Sequence, residues 1–223
     1  MSSKVHALSH ASKPAMFRPG FGWVVGGWMI ASLGLWASLT AYGLKHPDGR
    51  RPASPSAWPP DVSPPLGSDR PTVCLFLHPR CPCSRASVSE LGRVLSDVES
   101  APRIYVFVTR PRHTVDVPAW TDTATVRRVE RWGGVEVVDD IGGRLASRFG
   151  AVTSGTVHVY GRDGVRRFNG GVTASRGHEG GNPGADRIRE ILSSPECSAF
   201  SAGPVSWHPV FGCRLCLPGV TPS

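Results

Sequence analysis

Cys81 and Cys83 are separated by a single residue, inside His78-Pro-Arg-Cys-Pro-Cys-Ser-Arg-Ala-Ser87. In disulfide exchange the nucleophile is a thiolate, so reactivity turns on what holds the proton off sulfur. The apolar run Thr72–Leu77 ahead of this segment reads as a buried strand. Behind it, Val88, Leu91, Val94, Leu95 and Val98 repeat as one face of a helix over Ser84–Val98. Cys81 then stands just before the first helical turn, with Pro82 near the first helical position. That is the carboxyl end of a strand, where open α/β sheets place their sites. Unpaired N–H groups and the dipole at a helix start favour an anion, and Arg80 and Arg85 add positive charge. The expectation is an exposed, reactive Cys81. A Cys81–Cys83 disulfide closes a small ring, hence a strained and readily reduced one. In that scheme Cys81 attacks a partner disulfide and Cys83 resolves it, or the oxidised pair accepts electrons. The alternative is an inert pair packed under the helix.

The remaining cysteines divide by context. Cys213 and Cys216 form a C-x-x-C pair near the C-terminus, suited either to relaying electrons to Cys81 and Cys83 or to a stabilising bridge. Cys74 alternates into the first strand as a core residue. Cys197 has no clear partner and could pair with Cys213 or Cys216. Among histidines, His178 in Arg-Gly-His-Glu-Gly is the candidate acid/base for the thiol or a loop cap, its flanking glycines implying tight backbone demands. His158, alone in a strand, reads as a surface or core residue.

Elements that could position these groups follow in order. Ile104–Val108 is a second buried strand, Asp122–Trp132 a helix, and Val135–Val138 a third strand. Ile141, Leu145 and Phe149 at spacing four mark a helix closed by Gly150. Thr156–Tyr160 and Val165–Phe168 flank Asp163-Gly164, a hairpin turn signal, and Ala185–Leu192 is a last helix. The order β-α-β-α-β-α-β-β-α implies parallel strands with right-handed crossovers, ending in an antiparallel hairpin.

The chain has 223 residues, room for one ordinary domain plus a tail and an anchor. From Phe21 to Leu44 there is no charged residue, and 24 residues at helical rise span about 36 Å, enough to cross a bilayer core. Trp23 and Tyr42 stand near the two ends, where interfacial rings prefer to sit. A retained transmembrane helix fits better than a cleaved signal peptide, whose apolar core is shorter and ends in a small-x-small site. The division expected is a tail over 1–20, a transmembrane helix over 21–44, and a Pro-rich linker over 45–71 with eight prolines. A folded domain over 72–195 and an irregular segment over 196–223 complete it. Lysine and arginine counts flanking the span tie. The short acid-free tail favours the N-terminus inside and the domain on the extracytoplasmic, periplasmic side. The net charge of +8 comes from scattered arginines, with no lysine tract, aromatic-rich RNA motif or zinc-finger spacing. A basic solvated surface, not nucleic-acid binding, is the reading. The partners expected are the membrane and protein thiols or disulfides.

A strand, Cys-Pro-Cys-Ser at a helix start, and a β-α-β-β-α completion resemble the thioredoxin fold. More narrowly, the chain resembles the membrane-anchored thioredoxin-like proteins called RedB. The resemblance rests on His78–Ser87, Gly150–Gly155 (Gly-Ala-Val-Thr-Ser-Gly), Arg176–Gly180 and Phe211–Cys216, and covers about 72–216. It implies an α/β thioredoxin-like sandwich behind one transmembrane helix and a thiol–disulfide oxidoreductase with no cofactor beyond its redox disulfide. Against the thioredoxin pattern, Ser84 stands where the second cysteine would, and Gly155 falls where a cis-proline is usual. Thr153 and Ser154 then bring backbone near the sulfur. The alternative is copper binding or delivery, since Cys81, Cys83, His78, His158, His178 and the Cys213/Cys216 pair are suitable soft or borderline ligands. C-x-C lies outside the usual zinc spacing, and no resident metal is expected. A peroxide-reducing relative would want a Thr-x-x-Cys site, which Leu77, Pro79 and Arg80 do not supply. A non-enzymatic binding module would have inert thiols.

Overall fold

Apolar residues without a charge over more than five turns must form a helix whose exposed surface is hydrocarbon. The computed structural model, which describes residues 19–44, 54–194 and 205–215, contains that helix as α1 (Pro19–Leu44), entered through Pro19. Within it, Gly22–Leu44 is 23 residues long with mean hydropathy 1.5, long and apolar enough to cross a membrane. Trp23, Trp28, Ile30 and Trp36 are all exposed around it. α1 is a candidate membrane anchor. The chain divides near its end, one unit closing at Tyr42 and the other opening at Gly43.

In the second unit the predicted first strand and helix form as β1 (Thr72–Leu77) and α2 (Ser84–Asp97). They are followed by β2 (Arg103–Arg110), two short helices α3 (Pro118–Thr121) and α4 (Ala124–Val129), and β3 (Val135–Ile141). Then come α5 (Arg144–Phe149), the hairpin β4 (Thr156–Tyr160) and β5 (Arg166–Gly170), α6 (Pro183–Ser193) and β6 (Ser206–Trp207). The six strands lie in the order β3-β2-β1-β4-β5-β6. β1, β2 and β3 are parallel, β4 runs antiparallel to β1 and to β5, and β6 runs parallel to β5.

β1 is buried on both faces, so its side chains alternate between two cores. Val73, Leu75 and Leu77 pack with Val88, Leu91 and Val94 of α2 and with Ile188 of α6. Cys74 and Phe76 face the other layer, with Tyr105, Phe107, Phe149 and Tyr160. Cys74 is fully buried there, as its alternation predicts.

Four departures from the sequence expectations have physical causes. Ile141 ends β3 rather than opening a helix: β2 runs to Arg110 and pairs it with Ile141, and Gly142 and Gly143, both at positive φ, turn the chain into α5. The helix expected over Asp122–Trp132 is shorter, with Thr123 accepting the N–H of Val126 at its start. The described part of the Pro-rich stretch, 54–71, packs against the domain instead of standing as a spacer. Trp58 inserts among Tyr105, Phe149 and Tyr160, with ring centroids 5.0–6.0 Å apart, and its backbone N–H donates to the Gly164 carbonyl. Val62 is buried beside it. Finally, the C-terminal segment is irregular only in part, since 205–215 adds β6 and continues across the sheet's end. Cys197 and Cys216 lie outside the described residues.

His158 is a core residue, fully buried on β4. Its Nε2 pairs with Asn169 Oδ1 at 3.1 Å. Burial, with the charge of Arg166 adding to it, holds the imidazole neutral down to a pKa of about 3. Between about pH 6.5 and that value, the unfolded chain binds a proton that the folded chain refuses. Stability must therefore fall with pH by about 1.4 kcal/mol per unit from this ring alone. Denaturant melts from pH 7 to 4 should show a pH slope steeper by about one proton than in His158→Gln. Equal slopes would mean that the buried ring takes up its proton within the fold.

Candidate active site

The turn between β1 and α2 carries the cysteines. Cys81 N–H donates to the His78 carbonyl, and the Cys81 carbonyl accepts from Ser84 N–H at 3.1 Å. α2 opens at Ser84, with Cys83 in the capping position in helical conformation and no side-chain cap. The strand and the helix thus deliver Cys81 to the helix N-terminus, as the spacing requires.

Ser154 stands behind this turn in the loop before β4. Its hydroxyl accepts from His78 N–H at 2.7 Å and pairs with Ser84 Oγ at 2.6 Å. Gly155, with φ of +90°, lets that loop close on α2: a Cβ there would stand 2.7 Å from Ser87 Oγ. Gly155 N–H also donates to the Phe76 carbonyl, fastening the loop to β1.

Cys81 is not exposed. It is only 3% accessible, because the C-terminal segment lies over it. Ser154 N–H donates to the Cys213 carbonyl at 2.8 Å, Leu215 N–H donates to the Val152 carbonyl at 2.9 Å, and Thr153 bridges Arg214 in antiparallel fashion. At the centre, Cys213 N–H donates to Cys81 Sγ at 3.3 Å. All four described cysteines are thiols, and Cys83 and Cys213 are half-buried.

Three sulfurs therefore share one site, and their protons are not equivalent. Burial pushes the Cys81 pKa up, but hydrogen bonds from the Cys213 thiol, the Ser84 hydroxyl and the backbone N–H groups of both residues outweigh it, and the thiol ends below its ordinary value. Burial and the hydrogen bond to Cys81 push Cys213 up to about 12. Burial, together with the negative charge on Cys81, raises Cys83 against the pull of Arg176. Cys81 is the acceptor of the set and the most readily ionised of the three, and Cys213 holds its proton the more tightly.

The cation beside the sulfurs is Arg176, not Arg80 or Arg85. Arg176 donates to the Gly212 carbonyl at 2.9 Å and attracts the charge of Cys83 and Cys213. Arg80 is exposed and lies over the Trp120 ring, 5.0 Å from its centroid. Arg85 faces outward into a cleft of about 520 Å³ that Arg93, Arg128 and Trp132 also line. His178 is exposed as well. Its loop is tied to the middle of α2, where Glu90 accepts Gly180 N–H and Arg93 pairs with Glu179. That is about 10 Å along the helix from Cys83, so the segment contributes its arginine to the sulfur site rather than its histidine. A cation found next to a histidine already singled out is the only signal that sequence could have offered for Arg176. Among the described residues, no three His, Cys, Asp or Glu side chains cluster to hold a metal.

Alkylation of Cys81 by iodoacetamide, followed by peptide mass mapping against pH, should titrate below the ordinary thiol pKa of about 8.5. Ser84→Ala should move the midpoint upward. A wild-type midpoint at or above the ordinary value would show that burial wins over the hydrogen bonds.

No protein-family model matches this chain, and no curated protein does. Among solved structures, a conserved protein from Geobacillus kaustophilus superposes with a TM-score of 0.53 at 17% identity, covering 80% of this chain and 96% of that one. A thioredoxin-like protein solved in its oxidised form gives a TM-score of 0.39 at 15% identity, over 68% and 98% of the two chains. A secreted disulfide oxidoreductase from Mycobacterium tuberculosis gives 0.39 at 19% identity, over 57% and 83%. At such identities the likeness is one of fold. The strand order β2-β1-β4-β5, parallel in its first pair and antiparallel thereafter, with the cysteine turn between β1 and α2, is itself that of the thioredoxin-like α/β fold.

Proposed function

We propose that the protein is a thiol–disulfide oxidoreductase of RedB-like type, tethered to a membrane by α1 and acting on protein thiols or disulfides. The observation that carries this reading is the donor set around Cys81. A helix N-terminus, two backbone N–H groups, a serine hydroxyl and a second thiol all favour its thiolate. Structural cysteines in a core receive no such treatment, and Cys74, fully buried a few residues earlier, has its pKa driven well up by burial alone. Cys81 is the nucleophile. Cys83 is the second sulfur of the Cys-Pro-Cys turn, and Ser84 is a positioning residue that donates to the thiolate. Thr153 and Gly155 hold the loop that packs on it. Disulfide chemistry suits an oxidising compartment, so the domain belongs on the extracytoplasmic side of the anchor.

The full chain in detergent should reduce a peptide or insulin disulfide with a dithiol as electron source, and Cys81→Ser should abolish that turnover by more than a hundredfold. Turnover unchanged in Cys81→Ser would sink the reading. Stoichiometric copper(I) retained by the wild-type chain, with no exchange activity, would instead establish the copper-delivery alternative.

A further inference from the structure

Helical geometry sets the problem. The Cys83 thiol meets the Cys81 sulfur, but Cys83 holds helical φ and ψ of −68° and −26°, with the 81–84 turn closed by a hydrogen bond. A Cys81–Cys83 bond would have to break that turn open. Cys213 is under no such constraint. It reaches Cys81 from a separate strand-like segment, and its own N–H already rests on the Cys81 sulfur.

The track that brings it there is built for it. β6 pairs with β5, and His208 stacks on Phe168 at 5.5 Å. The chain next runs over Gly171, where a Cβ would stand 2.5 Å from the Pro209 carbonyl oxygen. Phe211 and Leu215 are buried on either side of Cys213. Gly212 passes so close to the sheet loop that a Cβ would meet the Ser154 carbonyl oxygen at 2.0 Å, and Arg176 clamps its carbonyl.

We propose that Cys213 is the resolving cysteine of Cys81, and that segment 211–215 is a strap which lifts to admit a partner and returns to release it. This deepens the oxidoreductase reading and rests on it. With the strap raised, the Cys81 thiolate attacks one sulfur of a partner disulfide. A Cys81–partner bond forms, the partner's sulfur–sulfur bond breaks, and its second sulfur leaves as a thiolate that takes up a proton. With the strap lowered, Cys213 loses its proton and attacks the Cys81 sulfur. The Cys81–Cys213 bond forms, and the partner's first sulfur leaves and is protonated in turn. Two protein thiols have become a disulfide and the partner disulfide two thiols. An external dithiol resets the pair by the same exchange: it attacks the half-buried Cys213 sulfur, Cys81 leaves as a thiolate, and the dithiol's second sulfur then closes on its first and releases Cys213 as a thiol.

The test uses the full chain, reduced, mixed with oxidised glutathione, quenched with acid and N-ethylmaleimide over time, and peptide-mapped by mass spectrometry. The expected course is a Cys81–glutathione adduct giving way to a Cys81–Cys213 crosslink, with the same crosslink formed in Cys83→Ser. In Cys213→Ser the adduct should persist at least tenfold longer. Gly212→Ala removes no thiol but unseats the strap. It should slow closure of the crosslink and, with glutathione absent, speed alkylation of Cys81 severalfold. A Cys81–Cys83 crosslink, or adduct lifetimes equal in wild type and Cys213→Ser, would overturn this assignment alone. No adduct at Cys81 in any variant would overturn the oxidoreductase reading and this inference together.

Discussion

One weak-looking contact, the Cys213 N–H on the Cys81 sulfur, governs the rest of the site. A sulfur taken almost wholly out of water loses the solvent that would stabilise its charge, and an unpaired buried charge is costly. Hydrogen bonds to the charged form restore what water gave, and charge-assisted ones are the stronger kind. Cys81 collects them from two directions: Ser84 on its own helix start, and Cys213 on a segment 132 residues further along the chain. The Cys213 thiol donates to the same sulfur, and that second bond decides which of the two sulfurs holds its proton more tightly. A thiol that donates to a neighbouring thiolate cannot readily ionise itself, so the stabilisation of Cys81 and the suppression of Cys213 are one effect seen from both ends.

Ser154 joins these two directions. Its hydroxyl fixes His78 and Ser84, which set the turn that carries Cys81, while its N–H holds the Cys213 carbonyl. One residue thus positions nucleophile and strap against a common reference. The loop can do this because Gly155 allows it to sit against α2 and Phe76 anchors it to β1. The rigid part of the site is built on the central strand, and the removable part crosses at the sheet's end, held by backbone hydrogen bonds, the Arg176 clamp and the buried Phe211 and Leu215.

What sequence revealed here follows from how local the causes are. β1, α2 and the β4–β5 hairpin are written in short periodic patterns and in Asp163-Gly164, and each formed where expected. The reactive turn was legible for the same reason, since strand, turn and helix are contiguous. Burial of Cys81 was not, because the residues that cover it are remote in sequence and nothing near residue 81 records them. The stretch 54–71 was misread because proline content argues for an extended spacer regardless of what it lies on. The evidence to the contrary was Trp58, a large apolar ring whose insertion among Tyr105, Phe149 and Tyr160 buries area that a free linker would leave in water. Arg176 was passed over for His178 two residues on, because titration near neutral pH draws attention to a histidine, whereas position alone decides which side chain meets the sulfurs.

The serine at position 84 gives the arrangement its logic. Residues three apart on a helical turn lie on one face, so a cysteine at 84 would face Cys81 and compete for its disulfide. A serine there keeps the donor and removes the competitor. Its hydroxyl stabilises the thiolate and is itself held by Ser154, yet oxygen cannot resolve a mixed disulfide. Cys83 meets the Cys81 sulfur but is held in the helical conformation of the same turn, which a Cys81–Cys83 bond would have to break. The local segment is therefore equipped to make a nucleophile and poorly equipped to release what that nucleophile captures. A covalent intermediate formed on Cys81 would persist until a sulfur arrived from elsewhere, and the strap is the element that brings one. Placing activation on the helix start and resolution on a separate segment lets the two steps be timed independently, which a pair confined to one turn does not permit.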